Sequence, residues 1–146
     1  MAHVRKQLRD WLRINLAGSP QAGSRVEERR SLPLGKDLKP TLLFEVSNEG
    51  STDLDMDGTQ QRVDIVRISA CVKDDSVEGA DTLDALALFV EGIFSNDPTL
   101  GGIAQDYAYQ TTEFNFVGTA ERTLCVAALT FAVTLFTARA DPETAL

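Results

Sequence analysis

An acidic segment near the middle of the chain, TDLDMDGTQQRVD, has the spacing of a calcium-binding loop. Five of its residues match positions one, three, five, six and twelve of an EF-hand loop: Asp53, Asp55, Asp57, Gly58 and Asp64. Three closely spaced carboxylates would favour Ca²⁺, which prefers oxygen ligands. This segment is therefore the first place in the sequence where chemistry is expected.

The residues in and around this segment favour a turn between two strands. The flanking segments LLFEVS and VDIVRIS alternate with a period of two, whereas an EF-hand loop lies between helices. Position twelve holds Asp64, which is one methylene shorter than the usual glutamate, and position eight holds the polar Gln60. Aspartate and glycine are also typical of turns, because glycine adopts positive φ and aspartate bonds to nearby backbone amides.

We therefore expect an acidic hairpin loop of about ten residues, between strands that end near Asn48 and start near Gln61. A metal site formed by Asp53, Asp55 and Asp57 stays open as the alternative.

Other kinds of chemistry lack the residues that they need. His3 is the only histidine, and Cys71 and Cys125 lie in apolar segments without CxxC spacing. Neither a zinc site nor a Cys–His pair can be assembled from these residues. The segments SLPLGKD and TLGGIAQD contain glycine but match no phosphate-binding motif. We expect no enzyme activity, no cofactor, and two free, buried thiols in a reducing compartment.

The composition predicts one acidic domain. A chain of 146 residues is long enough for a single core, and its net charge of −8 argues against a general nucleic-acid binder. Arg9, Asp10 and Arg13 interrupt the apolar run that a signal peptide would need. The apolar segment 122–138 contains four threonines and is shorter than the about 20 residues of a transmembrane helix. We expect one domain over residues 1–138, a flexible tail over 139–146 and no association with a membrane.

Two segments have the apolar period of an α-helix. The first packs its Trp11 face on a sheet and ends before Gly18, and its apolar positions are Val4, Leu8, Trp11, Leu12 and Leu16. The second begins at an N-cap, Asp81 or Thr82, and its stripe is Leu83, Leu86, Ala87, Val90, Ile93 and Phe94.

The remaining segments predict strands. RVEERRSLPLG is a short edge strand or an extended arm, and TLLFEVSNE is a strand that follows Pro40. RVDIVRISACVK changes parity near Ile65 and Val66, which indicates a β-bulge or burial on both faces. DYAYQTTEFNFVG predicts a further strand with a bulge near Thr111 and Thr112.

The last long segment, RTLCVAALTFAVTLFTA, predicts a central strand covered on both faces. One face would lie under the helices, and a neighbour such as another subunit would cover the other. The expected fold class is α+β, with a mainly antiparallel sheet of four to five strands, two helices packed on one face and an extended hairpin.

This order of elements resembles the tail terminator proteins of long-tailed bacteriophages, the lambda minor tail protein U type, also called tail completion proteins. The matching parts are the helix VRKQLRDWLRINL, the strand TLLFEVSNE, the acidic hairpin, the helix DTLDALALFVEGIF, the break SNDPTLGG, the strand DYAYQTTEFNF and the strand TLCVAALTFAVTLF. The resemblance extends from Val4 to Thr137 and rests on order and spacing.

The resemblance implies a structural virion protein that forms an oligomeric ring, a hexamer, on the last ring of the tail tube. The ring would end tube polymerisation and provide the head-attachment surface, at the head-proximal end of a tail assembled in the cytoplasm of the bacterial host. Its partners would be further copies of the chain, the major tail tube protein and the head–tail connector proteins, and DNA would pass through it without specific binding.

The candidate residues for contacts with the tube or with further copies are Arg29, Arg30, Asp53, Asp55, Asp57, Phe114 and Phe116. Two alternative functions stay open: a head–tail connector subunit of the neck, and a calcium-responsive binding module.

Overall fold

Six β-strands in the described part of the chain form one sheet, and two α-helices pack on one of its faces. A computed structural model describes residues 2–28, 39–73, 77–119 and 122–146, and only the backbone of residues 77, 78, 116–119, 122 and 123. In chain order the elements are α1 (Val4–Leu16), β1 (Val26–Glu28), β2 (Thr41–Asp53), β3 (Thr59–Val72), α2 (Val77–Asn96), β4 (Asp106–Thr119), β5 (Arg122–Ala138) and β6 (Asp141–Ala145).

The strands lie in the order β1-β2-β3-β5-β4, and β6 pairs with the end of β5. Every pairing is antiparallel except that of β1 with β2, which is parallel. The predicted fold class is confirmed: the fold is α+β, with a mainly antiparallel sheet, two helices on one face and a long β2–β3 hairpin. The sheet has six strands, one more than the upper end of the predicted four to five, because β6 also joins it.

The helix-covered face of the sheet carries the main core. Register pairs such as Val66 with Phe131 and Ile68 with Leu129 place the even positions of β3 and the odd positions of β5 on this face. These side chains are fully or almost fully buried together with those of both helices. The prediction that one parity of the last strand lies under the helices is therefore confirmed.

The opposite face is buried at one end only. Leu43, Cys71, Leu124 and Val126 form a second, small buried cluster there. Farther along β5 on the same face, Thr130 and neighbouring alternate residues are half-buried. Coverage of this face by another subunit stays a prediction. Both cysteines are buried thiols, as expected.

Helix α1 buries four residues at i, i+4 spacing, Val4, Leu8, Leu12 and Leu16. Trp11 is only half-buried, and its ring meets that of Phe94 on α2 with centroids 5.8 Å apart. Trp11 therefore packs between the helices, whereas the sequence predicted that it packs on the sheet. The residue that follows the helix cap, Gly18, has φ +102°, which only glycine adopts readily.

Helix α2 begins at Val77, a turn earlier than the predicted caps Asp81 and Thr82. Acidic residues in the first turns of a helix interact favourably with its N-terminal partial charge, and Glu78 and Asp81 both occur there. Thr82 therefore lies within the helix. The predicted stripe is correct, because Leu83, Leu86, Val90 and Phe94 are buried.

The irregularity predicted near Ile65 and Val66 lies in the partner strand. The register shifts between Val46 and Asn48 of β2, so that Ser47 is the extra residue. Strand β3 pairs with β5 without interruption, and its change of apolar parity reflects partial burial on both faces. In β4 the extra residue is Gln110, next to the predicted position.

The hairpin tip and the C-terminal segment are more ordered than the sequence predicted. Strand β2 continues to Asp53, so residues 54–58 alone connect it to β3, and the predicted loop of about ten residues was too long. The polar side chains near the tip point outward and leave the backbone free to pair. The segment predicted as a flexible tail contains β6, whose Ala145 pairs with Thr137. Backbone hydrogen bonds hold this strand, and they leave no apolar pattern in the sequence.

Candidate assembly surfaces

The aspartates of the hairpin tip stabilise its turn. Oδ1 of Asp55 accepts a hydrogen bond from the backbone N–H of Thr59 at 3.0 Å, and the backbone N–H of Leu54 donates to the Thr59 carbonyl at 2.9 Å. The hydrogen bond from Thr59 is the main cause that lowers the pKa of Asp55. Gly58 has φ +90°, which completes the turn. The carboxylate of Asp55 therefore acts as a turn-forming group.

The tip also contacts the turn between β5 and β6. Asp53 pairs with Arg139 at 3.0 Å, and the backbone N–H of Arg139 donates to the Gly58 carbonyl at 2.6 Å. Asp57 is exposed, and the side chain of Met56 beside it is fully exposed. Among the residues that the structure describes, no three His, Cys, Asp or Glu side chains are grouped to hold a metal ion.

The other predicted contact residues do not join the tip in one surface. Phe114 is paired with Ala127 on β4 and is 56% exposed. At the tip, Thr59 pairs with Ala138 of β5, whereas Phe114 pairs with Ala127. About 35 Å of β5 therefore separates Phe114 from the tip. Phe116 lies two residues farther along β4, and its side chain is outside the described part. Arg29 and Arg30 are also outside the described residues.

A groove of about 370 Å³ lies between α2 and β4. The lining side chains include Leu88 and Glu91 of α2 and Tyr107 and Tyr109 of β4. Leu88 is 73% exposed and Tyr109 43%, which are large values for apolar side chains that lie side by side. Burial, and then the nearby Glu91 carboxylate, raise the pKa of Tyr109. Sequence analysis identified Phe114 on this side of the molecule but missed Leu88 and Tyr109.

Strand β4 is an edge of the sheet. Within the described residues its only strand neighbour is β5, so a row of backbone N–H and C=O groups faces outward over most of its 14 residues. Proteins commonly cover or charge such an edge to prevent uncontrolled pairing. The exposed aromatic side chains of β4 and its open edge together define a candidate assembly surface.

Charge is strongly segregated along the chain. Residues 74–121, which include α2 and β4, contain ten acidic residues and no Lys, Arg or His. The ten are Asp74, Asp75, Glu78, Asp81, Asp84, Glu91, Asp97, Asp106, Glu113 and Glu121. The rest of the chain contains all 14 basic residues and the other 12 of the 22 acidic residues. The whole net negative charge of the protein therefore comes from this segment.

The sheet order places this acidic segment opposite a basic one. Helix α1 contains four basic residues, Arg5, Lys6, Arg9 and Arg13, and one acidic residue, Asp10. Because β1 and β4 are the two ends of the strand order, α1, which packs on β1 and β2, forms a basic edge, and α2 with β4 forms an acidic edge. The sequence signal was available, since no basic residue occurs between Lys73 and Arg122.

Ion pairs fasten the basic edge. Arg9 and Arg13 of α1 both reach Glu28 of β1, at 3.2 Å and 2.7 Å, and Lys6 pairs with Asp10 at 2.8 Å. The basic side chains remain about half exposed. A second groove, of about 500 Å³, lies beside them between α1 and β2. At its side, burial and the Arg5 guanidinium lower the pKa of His3.

A buried group of charged side chains lies under the start of α1. Asp64 is fully buried, and its register partner is Glu49. Oε2 of Glu49 accepts a hydrogen bond from Arg62 Nη1 at 3.1 Å and lies 3.5 Å from Arg5 Nη1. Among the described residues, no N–H or O–H group donates to either oxygen of Asp64 or to Oε1 of Glu49.

Burial, followed by the adjacent Glu49 carboxyl group, raises the pKa of Asp64 to about 8, although Arg5 and Arg62 oppose the shift. At neutral pH the carboxyl group of Asp64 therefore keeps its proton. Sequence analysis placed Asp64 at a metal-ligand position and gave no sign of this burial.

Comparison with known proteins gives a likeness in fold to a solved structure. No family model matches the chain, and no curated protein matches it. Among solved structures, the chain is similar to a chain in a structure described as "Virion of native gene transfer agent (GTA) particle". The TM-score is 0.55, the sequence identity is 15%, and the match covers 92% of both chains. At this identity the likeness concerns the fold.

In the described part of the chain, no helix is long and apolar enough to span a membrane.

Proposed function

We propose that this chain is a structural subunit of a phage-like virion and that it serves there as the tail terminator. It would form an oligomeric ring, a hexamer, that caps the tail tube, ends its polymerisation and provides the surface for head attachment. The observation that carries this proposal is the shared fold, over 92% of both chains, with a chain from a gene transfer agent virion. The order of elements, which resembles that of phage tail terminators, supports it independently.

The charge of the chain is compatible with this role. A ring at the end of a tail tube must let DNA pass without holding it, and a net charge of −8 disfavours attachment to phosphates. The role needs no catalytic group and no cofactor, and the proposal includes neither. The segregated charges and the exposed apolar side chains of β4 suit a subunit that contacts several neighbours.

Tube assembly in vitro tests the proposal. Major tail tube protein from the same genome is purified and polymerised with increasing amounts of the chain, and tube lengths are measured by electron microscopy. An unrelated acidic protein of the same size is the control. Mean tube length should fall as the ratio of chain to tube protein rises, and gold-labelled chain should be found at one end of each tube.

Other outcomes separate the alternatives. Unchanged tube lengths with no label at tube ends would contradict a terminator. Binding to the portal complex in place of the tube would favour the head–tail connector subunit. Label along the whole tube would indicate a tube-lining protein.

A further inference from the structure

The two edges of the sheet are complementary in charge, and we propose that the acidic edge of one copy docks against the basic edge of a second copy. This inference rests on the proposed function because it names the contact by which that subunit assembles. The acidic edge is the surface of α2 and β4, and the basic edge is the exposed surface of α1.

The acidic edge combines carboxylates with exposed apolar groups. Asp84, Leu88 and Glu91 follow each other at helical spacing on α2, and all three are exposed. Tyr109 lies beside Glu91, and Phe114 is exposed farther along β4. Interfaces between proteins typically have such an aromatic or aliphatic centre surrounded by charged groups.

The basic edge offers the matching groups. Lys6, Arg9 and Arg13 are exposed along α1 with Ile14, which is 73% exposed. Their ion pairs with Asp10 and Glu28 occupy only some of their donors, because a guanidinium has five N–H groups and an ammonium three. Carboxylates from another copy would therefore find free donors here, together with an apolar side chain at the centre.

The charges disfavour a two-fold dimer in which an edge meets its own copy. Each edge carries mostly one sign of charge, so two acidic edges or two basic edges would repel each other. A contact between unlike surfaces is heterologous, and its repetition gives a closed ring or an open filament. The acidic edge is about 30 Å long, the length of the 20-residue helix α2, which is sufficient for the about 800 Å² that a stable interface buries per partner.

Two charge-reversal variants test the contact. Asp84→Lys with Glu91→Lys blocks the acidic edge, and Lys6→Glu with Arg9→Glu blocks the basic edge. The substituted side chains are exposed or nearly so, and circular dichroism with thermal unfolding checks that each variant folds. Ser51→Lys adds a charge at an exposed position of the β2–β3 hairpin, away from both edges, and is the control.

Light scattering after size-exclusion chromatography, at low and at physiological salt, measures the masses. Each blocked variant should self-associate at least about 100-fold more weakly than the unchanged chain and the Ser51→Lys control, because like charges then face each other. An equimolar mixture of the two variants should assemble again, because the two intact edges match and the two reversed edges are also opposite in charge. A chain with all four substitutions should assemble again, because its two edges have exchanged charge.

The outcomes keep this inference separate from the proposed function. A mixture that stays monomeric, or blocked variants that assemble as the unchanged chain does, would overturn the docking of unlike edges. If the chain still caps tubes in that case, the terminator function stands and another surface makes the ring. If the mixture assembles but the unchanged chain does not act on tubes, the contact stands and the terminator function fails.

Discussion

Glu49 of β2 and Asp64 of β3 are register partners whose carboxyl groups meet on the helix-covered face of the sheet. Asp64 has a pKa of about 8 there, whereas an unfolded chain gives aspartate a pKa of about 3.9. Between these two values the folded protein keeps a proton that the unfolded chain releases. The contribution of Asp64 to the free energy of unfolding is therefore fully present below about pH 4 and is lost as the pH rises through 8.

Asp64→Asn should reduce this pH dependence. An amide stays neutral and donates an N–H to Glu49, so the free energy of unfolding at pH 8 should rise by about 1 to 3 kcal/mol. Urea unfolding between pH 5 and pH 9 measures the change. Asp57→Asn, at an exposed position, is the control and should keep the slope of the unchanged protein. An equal slope for Asp64→Asn and the unchanged protein would contradict the raised pKa of Asp64.

The stacked pair of Phe94 and Phe131 joins α2 to the sheet. Their ring centroids are 4.1 Å apart with planes 7° from parallel, and Phe94 also contacts the rings of Trp11 and Tyr107. Phe94→Ala should lower the free energy of unfolding by about 3 to 5 kcal/mol, because it removes a fully buried aromatic side chain.

Leu88→Ala is the matched control for this change because it removes an exposed side chain from the same helix. Its effect on stability should be within about 0.5 kcal/mol. Denaturant unfolding of the three proteins at one pH gives the comparison. A loss of less than about 1 kcal/mol for Phe94→Ala would show that α2 is held mainly by other contacts.

Most of the fold could be predicted because burial leaves a period in the sequence. The buried residues of α1 recur every four positions from Val4 to Leu16, and β3 and β5 alternate between a covered and a less covered face. The predictions that failed concern segments whose structure depends on backbone hydrogen bonds. Strand β6 has no apolar pattern, and the extra residue Ser47 is polar and exposed, so neither produces such a signal.

The candidate surfaces were harder to predict than the fold. Phe114 was identified because an aromatic residue on an edge strand is conspicuous, whereas Leu88 was hidden in a helix that is apolar on several sides. Asp64 falls between strand-forming residues, and only the three-dimensional packing of α1 shows that it is buried. The charge segregation can be read from the sequence, but only the order of the strands in the sheet shows that the acidic and basic segments lie at opposite edges.

Alanine substitution of two glycines, Gly101 and Gly92, should change the free energy of unfolding in opposite directions. Gly101 has φ +72°, and a Cβ there would lie 3.3 Å from Cδ1 of Trp11. Gly101→Ala should therefore lower the free energy of unfolding by about 1 to 2 kcal/mol. Gly92 lies in α2 with no atom within 4 Å of a Cβ, so Gly92→Ala should raise it by about 0.5 to 1 kcal/mol.

Thermal and urea unfolding of both alanine variants measure these changes, and Trp11 fluorescence adds a local readout. Gly101→Ala should also shift the emission of Trp11, because the indole must move away from the new methyl group. Equal and small effects at both positions would contradict the strained turn.

Asp55→Ala distinguishes the turn from a calcium site at the hairpin tip. Loss of the carboxylate removes the hydrogen bond to the Thr59 N–H, so the urea midpoint should fall, whereas Asp57→Ala should leave it nearly unchanged. The pKa of Asp55 is lowered in the folded protein, so its contribution should be present at neutral pH and be lost as the pH falls below about 4. Calorimetry with millimolar Ca²⁺ should show no stoichiometric heat, since Asp53 already pairs with Arg139 and Asp55 is engaged in the turn. Stoichiometric binding that both Asp55→Ala and Asp57→Ala abolish would instead establish the calcium-responsive module, because a metal site needs both carboxylates and the turn needs only one.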